Sequence, residues 1–306
     1  MNVFRIFILL LPALLSAAEG GIHGGSIPFD VDIAQFRVND STNAVEIYIA
    51  VPRVRFRYDK TGDHHQAHFE MKAGLYRNDS LVDVQSRRNI DAVQSLEQVK
   101  ENQSLYNQFC LSAGKGRYKL RVRVTDLLER AGGWYQQDLE VESYSGDTLG
   151  VSDIQIAQEI VPDTSAGYFN KNGFRIIPNP GGLFGLQVPV VFYYSEIYHL
   201  SAPAVGGDST YAAGGSIRTP SDSLIKALPV RRKTKAGRFL VEVGRVAVSN
   251  LKTGEYRLVL EISDHGQGRS VRREKPFWVY REQDFDKKKK DEKQIYRESF
   301  QNTKTP

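Results

Sequence analysis

One strand-like segment occurs twice in this chain. Gly116-Arg-Tyr118-Lys-Leu120-Arg-Val122-Arg-Val124-Thr-Asp126 returns as Gly254-Glu-Tyr256-Arg-Leu258-Val-Leu260-Glu-Ile262-Ser-Asp264, with Tyr118 and Tyr256 separated by 138 positions. Each copy alternates apolar with mostly polar residues, the period of a strand with one face on a core and the other in water. Glycine opens each copy and aspartate closes it. Two further matches keep the same order: Asp79-Ser80-Leu81-Val82 with Asp222-Ser223-Leu224-Ile225, and Val45 to Val51 with Val188 to Tyr194. A unit that recurs in order is a duplicated fold, and small offset differences between its blocks belong in loops.

A chain of 306 residues is longer than one core usually organises, which agrees with two domains. Short alternating runs between turn residues, without sustained helical periodicity, predict an all-β chain of tandem sandwiches. The Gly-x-Tyr-x-Leu stretch points to an immunoglobulin-like sandwich, because Tyr118 and Tyr256 stand where such folds place a corner tyrosine that bonds back to the backbone. Leu120 and Leu258 occupy the place of the antibody-domain cysteine, so packing must replace a disulfide there. The expected domains are 19–145 and 146–282, cut where Ser145, Gly146, Asp147 and Gly150 interrupt the strand pattern. Residues 283–306 carry four consecutive lysines, Lys287 to Lys290, and few apolar residues, so this charged tail is expected to be helical or disordered.

Met1 to Ala18 has Arg5, an apolar run from Ile6 to Leu15, and small residues Ser16, Ala17 and Ala18. This is the grammar of a signal peptide with cleavage after Ala18, and the run is short for a membrane span. The expected location is exported: periplasm, outer-membrane-associated or cell surface. One cysteine, Cys110, excludes an intrachain disulfide; its place between Phe109 and Leu111 suggests a buried small apolar residue. The net charge of +5 is spread among interleaved acids and bases, which argues against nucleic acid.

Few residues suggest chemistry. No G-x-S-x-G elbow, P-loop or H-E-x-x-H helix is present, and Gly206-Gly207 precedes no helix pattern, so no catalytic residue and no cofactor is nominated. His64, His65 and His68 form the one histidine cluster, but on a strand only His64 and His68 share a face, and no metal ligand set is assigned. Arg53, Arg55 and Arg57 alternate after Pro52, which places three cations on one face of an extended segment, either a solvated edge or a contact for an anionic glycan. Phe192, Tyr193, Tyr194 and Tyr198 form an aromatic run that is either core on both faces of a central strand or a stacking platform for sugar rings. Three Asn-x-Ser sequons begin at Asn39, Asn78 and Asn102.

Val151-Ser152-Asp153-Ile154, Phe169-Asn-Lys-Asn-Gly173 with Ile177-Pro178-Asn179-Pro180, Phe192-Tyr-Tyr-Ser-Glu196-Ile-Tyr198 and the two Gly-x-Tyr-x-Leu strands together resemble the N-terminal β-sandwich region of exported GWxTD-domain proteins of bacteria. The likeness covers most of the expected mature chain. The motif that names that family is absent, and Gly133-Trp134-Tyr135 is not it. What the resemblance implies is an exported, sandwich-containing protein, and it adds no catalytic residues. The expected function is a non-enzymatic structural or interaction module of the cell envelope that binds a protein partner through sandwich edges or loops. The alternative is a carbohydrate-binding sandwich that takes a glycan on its aromatic residues.

Overall fold

The computed structural model describes residues 21–185, 188–202, 209–266 and 268–281. The expected signal peptide, the charged tail and Gly206-Gly207 lie outside them. The described chain is an all-β sandwich protein, and two single-turn 3-10 pieces, Arg53–Arg55 and Leu96–Gln98, are the helical elements among the described residues. The strands are β1 (Ile22–Gly25), β2 (Asp30–Arg37), β3 (Asn43–Pro52), β4 (Asp59–Thr61), β5 (His64–Arg77), β6 (Ser80–Val93), β7 (Ser104–Ala113), β8 (Gly116–Asp126), β9 (Gly132–Val141) and β10 (Gly150–Val151). They continue as β11 (Gln155–Pro162), β12 (Asn170–Lys171), β13 (Phe174–Pro178), β14 (Leu183–Gly185), β15 (Val190–Tyr198), β16 (Thr210–Arg218), β17 (Leu224–Thr234), β18 (Leu240–Ala247), β19 (Gly254–Asp264) and β20 (Arg269–Tyr280).

Pairing order repeats along the chain. β9-β8-β5 with β6 on β5 matches β20-β19-β16-β17, and β2-β3-β7 matches β11-β15 with β18 on β15. These are the GFC-plus-C′ and ABE groupings of immunoglobulin-type sandwiches. The duplicated segments become β8 and β19, each opening on a glycine at positive φ (146° at Gly116, 158° at Gly254). The sequence alternation becomes burial alternation in β8, where Tyr118, Leu120, Val122 and Val124 are buried, and in β19, where Tyr256, Leu258, Leu260 and Ile262 are, with Val259 buried on the opposite face as well.

The described residues form two compact units that are not consecutive in sequence. Unit 1 contains the described residues up to Phe29, then Val51–Ser104 and Gly116–Glu140; unit 2 contains Asp30–Ala50, Leu105–Lys115 and the described residues from Val141 onward. Unit 1 is dominated by the long hairpin of β5 and β6, each 14 residues. Asn78 and Asp79 close it with two successive left-handed residues (φ 49° and 61°), the two-residue turn whose twist suits a hairpin.

Unit 2 holds two apolar clusters. In one, Ile156, Val191, Ile197 and Val246 from one sheet interdigitate with Tyr211, Ala213, Ile217, Leu258, Leu260, Ile262, Phe277 and Val279 from the other. That is the sandwich core. The second joins Ala34, Phe36 and Tyr48 of β2 and β3 to Ala157, Ile160, Ile176 and Tyr194 of β11, β13 and β15. Strand β15 therefore has apolar cover on both faces, which is why its sequence is a nearly unbroken apolar run instead of an alternation.

Candidate functional site

The aromatic run of β15 is placed by that double cover. Tyr194 is fully buried, its ring edge-on to Phe36 at 5.8 Å. Its hydroxyl donates to Glu196 Oε1 at 2.7 Å and accepts from Asn172 Nδ2 at 2.5 Å. Tyr198 is also buried, donates to Glu196 Oε2 at 2.7 Å, and accepts the Arg37 N–H at 2.9 Å. Burial and the Glu196 carboxylate push both phenols well above the ordinary tyrosine range, so both stay neutral donors. Tyr193 is half-buried opposite Gly244, where a Cβ would lie 2.1 Å from the tyrosine hydroxyl; the glycine makes room for the ring. Neither Tyr194 nor Tyr198 offers an open ring face, and of the two readings of this run, packing fits the placement of both.

Beside Tyr194 lies a feature that no motif announced. Lys171 Nζ stands 2.8 Å from Glu46 Oε2, 3.7 Å from the centroid of the Phe36 ring and 4.5 Å from that of Tyr194. Glu46 also accepts from the Tyr48 hydroxyl and from Gln108 Nε2 at 3.2 Å. Burial lowers the Lys171 amine below the usual lysine value, with Glu46 opposing it. The ammonium is held by a carboxylate and two aromatic faces, an arrangement that fixes unit 2 internally and leaves no open site. A second buried ion pair joins Lys275 to Asp32, and a third joins Lys235 Nζ to Asp264 Oδ1 at 2.5 Å, both side chains fully enclosed. All three combine residues distant in sequence, so spacing alone could not reveal them.

Arg53, Arg55 and Arg57 do not form the expected row. Pro52 ends β3, and the chain enters a 3-10 turn at Arg53–Arg55, where backbone rotation near 120° per residue replaces alternation. Arg53 turns inward, its Nη2 2.7 Å from Asp91 Oδ1, with Nη1 3.2 Å from Gln103 Oε1. The Tyr58 hydroxyl donates to the same Asp91. Arg57 pairs with Asp59 at 2.8 Å and Arg55 is exposed, so the three cations have three different surroundings.

The tyrosines of the repeat take equivalent places. Tyr256 donates to the Lys252 carbonyl at 3.0 Å, a bond back to backbone four residues upstream, as a corner tyrosine does. Tyr118 lies under Arg77, whose guanidinium donates to its hydroxyl at 2.5 Å and sits 4.4 Å from its ring centroid. Cys110 is exposed, against the expectation of burial, because β7 alternates and puts Phe109 and Leu111 inward instead. Among the described residues no group of three or more His, Cys, Asp or Glu could hold a metal, and no helix is long and apolar enough to cross a membrane.

Among the outward-facing features are the outer strands β6 and β17. On β6, Leu81, Val82, Val84 and Ile90 are exposed, Ile90 to 61%. On β17, Leu224, Ile225 and Val230 are exposed, Val230 to 73%. Leu81-Val82 and Leu224-Ile225 are the repeated pairs noted in the sequence, so each copy presents aliphatic side chains to water just after the same turn. A shallow groove of about 400 Å³ lies on unit 2 among Gln158, Glu159, Ile177, Pro189 and Phe192.

No family model matches this chain, and no curated protein does. Among solved structures the chain has a distant similarity to a β-glucuronidase of Bacteroides uniformis, at 10% identity over 78% of this chain and 26% of that one, with a TM-score of 0.22. It has a comparable similarity to a putative β-galactosidase of Bacteroides fragilis, at 9% identity over 83% of this chain and 35% of that one, also with a TM-score of 0.22. The chain thus spans between a quarter and about a third of the proteins it resembles, and at that TM-score nothing of their chemistry carries over.

Proposed function

We propose that this chain is an exported, non-enzymatic structural or interaction module of a bacterial envelope, built of two sandwich domains at 19–145 and 146–282, that binds a protein partner through its outer strands. The supporting observation is the aliphatic exposure on β6 and β17, repeated at the same place in both copies of the duplicated sequence. Outer strands of soluble proteins normally carry charge to discourage strand addition. β6 and β17 carry such charges, but each also exposes several large aliphatic side chains among them, which fits a surface covered by a partner. The envelope assignment follows the leader-like start and the resemblance to GWxTD-domain proteins, and the interior ion pairs serve rigidity, not catalysis.

The test places a photo-crosslinking residue at Val82 or Val230, with the exposed Arg123 of β8 as control, in cells producing the full chain. A defined partner captured from position 82 or 230 and not from 123 is the expected result. Recovery of the chain alone from both strands counts against the reading. A carbohydrate-binding reading has one favouring feature, the groove in which Phe192 offers an aromatic side chain beside Gln158 and Glu159. Glycan-array binding lost in Phe192→Ala, with folding intact, would transfer the function to that groove.

A further inference from the structure

Register gives β17 two chemically different faces. Tyr211, Ala213 and Ile217 of β16 belong to the sandwich core, and residues opposite one another on paired strands share a face. Opposite them stand Lys233, Arg231 and Lys226, so these three cations share the core-side face of β17, with Leu228 opposite Gly215 between them. The other face carries Leu224 opposite Arg218, Ala227 opposite Ser216, Val230, whose Cγ2 lies 2.9 Å from where a Cβ on Gly214 would stand, and beyond them Arg232 opposite Ala212, its Nε 2.8 Å from Thr210 Oγ1. Two register shifts, one between Ile217 and Arg218 and one between Ala213 and Gly215, reset the alternation, so that between Leu224 and Arg231 the exposed cations Lys226 and Arg231 share one face and Leu224, Ala227 and Val230 the other. Leu224–Thr234 contains four cations and no acid.

Not all of this charge is open. Lys233 is neutralised by Glu242 at 2.6 Å, whereas Lys226 and Arg231 stand exposed. They lie opposite Ile217 and Ala213, four positions apart on β16, a separation of roughly 13 Å at the usual rise per strand residue. Side chains at i and i+4 of an extended chain match that spacing on one face, and i+1 and i+3 then fall on the other.

We propose that β17 accepts an extended segment of a protein partner in which acidic and aliphatic residues alternate, its carboxylates meeting Lys226 and Arg231 and its aliphatic side chains meeting Leu224, Ala227 and Val230. The proposal rests on the protein-binding function above and names the chemistry of that partner. Pro229 has no N–H to donate, so backbone pairing runs in two short arms and the charge pairs set the register. An anionic polysaccharide would satisfy the cations but leave the aliphatic face in water, which is why a peptide is the better fit.

A fluorescein-labelled synthetic peptide, Glu-Val-Glu-Val-Glu-Val-Glu, is titrated with the full chain and followed by anisotropy. Saturable binding is expected to weaken about tenfold when salt rises from roughly 50 to roughly 500 mM, because exposed charge pairs are screened. K226E/R231E should abolish binding, Leu224→Ser with Val230→Ser should weaken it, and K72E/R123E, an equal charge change at exposed positions of unit 1, should leave it intact. Binding unchanged in K226E/R231E overturns the proposal, as does heparin binding that the peptide does not displace. Failure of the peptide while crosslinking at Val82 still captures a protein removes this inference alone; failure of both removes the function as well.

Discussion

The two copies of the repeated strand end on the same residue and use it differently. Asp126 accepts the Arg57 N–H at 2.7 Å, the Leu128 N–H at 2.8 Å and the Glu129 N–H at 3.2 Å. Asp264 accepts the Ser201 N–H at 2.6 Å and the Gly266 N–H at 2.9 Å, the same kind of loop clamp. It also holds the Ser201 hydroxyl at 2.9 Å and the enclosed Lys235 ammonium. The shared part satisfies backbone donors where the chain leaves the strand, which any copy of this fold requires. The added part is a buried charge that exists only where a lysine from another loop arrives with it. Burial by itself would raise the Asp264 carboxyl; the Lys235 and Ser201 bonds outweigh burial and hold it below the ordinary value.

The largest test of this contrast is substitution of the two aspartates. Asp264→Ala strands a buried ammonium and should cost about 3–5 kcal/mol, whereas Asp126→Ala loses backbone acceptors alone and should cost about 1–3 kcal/mol, both read by urea unfolding. Equal losses would erase the distinction. A smaller effect separates the pH responses of two unit 2 carboxylates. Asp153 is raised to about 6, chiefly by burial, with Lys275 and its own bond to the Gln35 N–H opposing. A carboxyl raised in the folded state stabilises while protonated, and that contribution is lost as pH rises through about 6. A carboxyl lowered in the folded state, as Asp264 is, contributes above its unfolded value and loses that contribution as pH falls below about 4.

Unfolding free energy should therefore fall as pH rises from about 4 to about 6.5, by roughly 3 kcal/mol for each carboxyl so raised; burial raises Asp30 to about 6 as well, so Asp153→Asn should remove part of that slope. An unchanged slope in the variant would show that Asp153 does not titrate there. The smallest expected change sharpens the equivalence of the copies. Tyr256→Phe removes the donation to Lys252, and Tyr118→Phe removes the acceptor of Arg77; each should cost about 1 kcal/mol. No loss at one tyrosine beside a clear loss at the other would break their equivalence.

Alternation in Gly116–Asp126 and Gly254–Asp264 and the glycines that open them are local, and the sequence alone was enough to place these strands and their inward faces. Order along the chain was enough to predict that the pairing scheme recurs. The fate of Tyr194 and Tyr198 was beyond it, because an aromatic run on a strand is compatible with one covered face or two, and Phe36 and Tyr48 that complete the cover come from strands more than a hundred positions away. Arg53, Arg55 and Arg57 lost their alternation to a single turn after Pro52, and which face each side chain of β17 takes was set by two shifts of register against β16. Cys110 alternated as its strand required, but which parity faces inward depends on the sheet. Period and turn chemistry act between neighbours in sequence and can be read there; cover, ion pairing and register depend on what distant segments bring, and only the folded chain decides them.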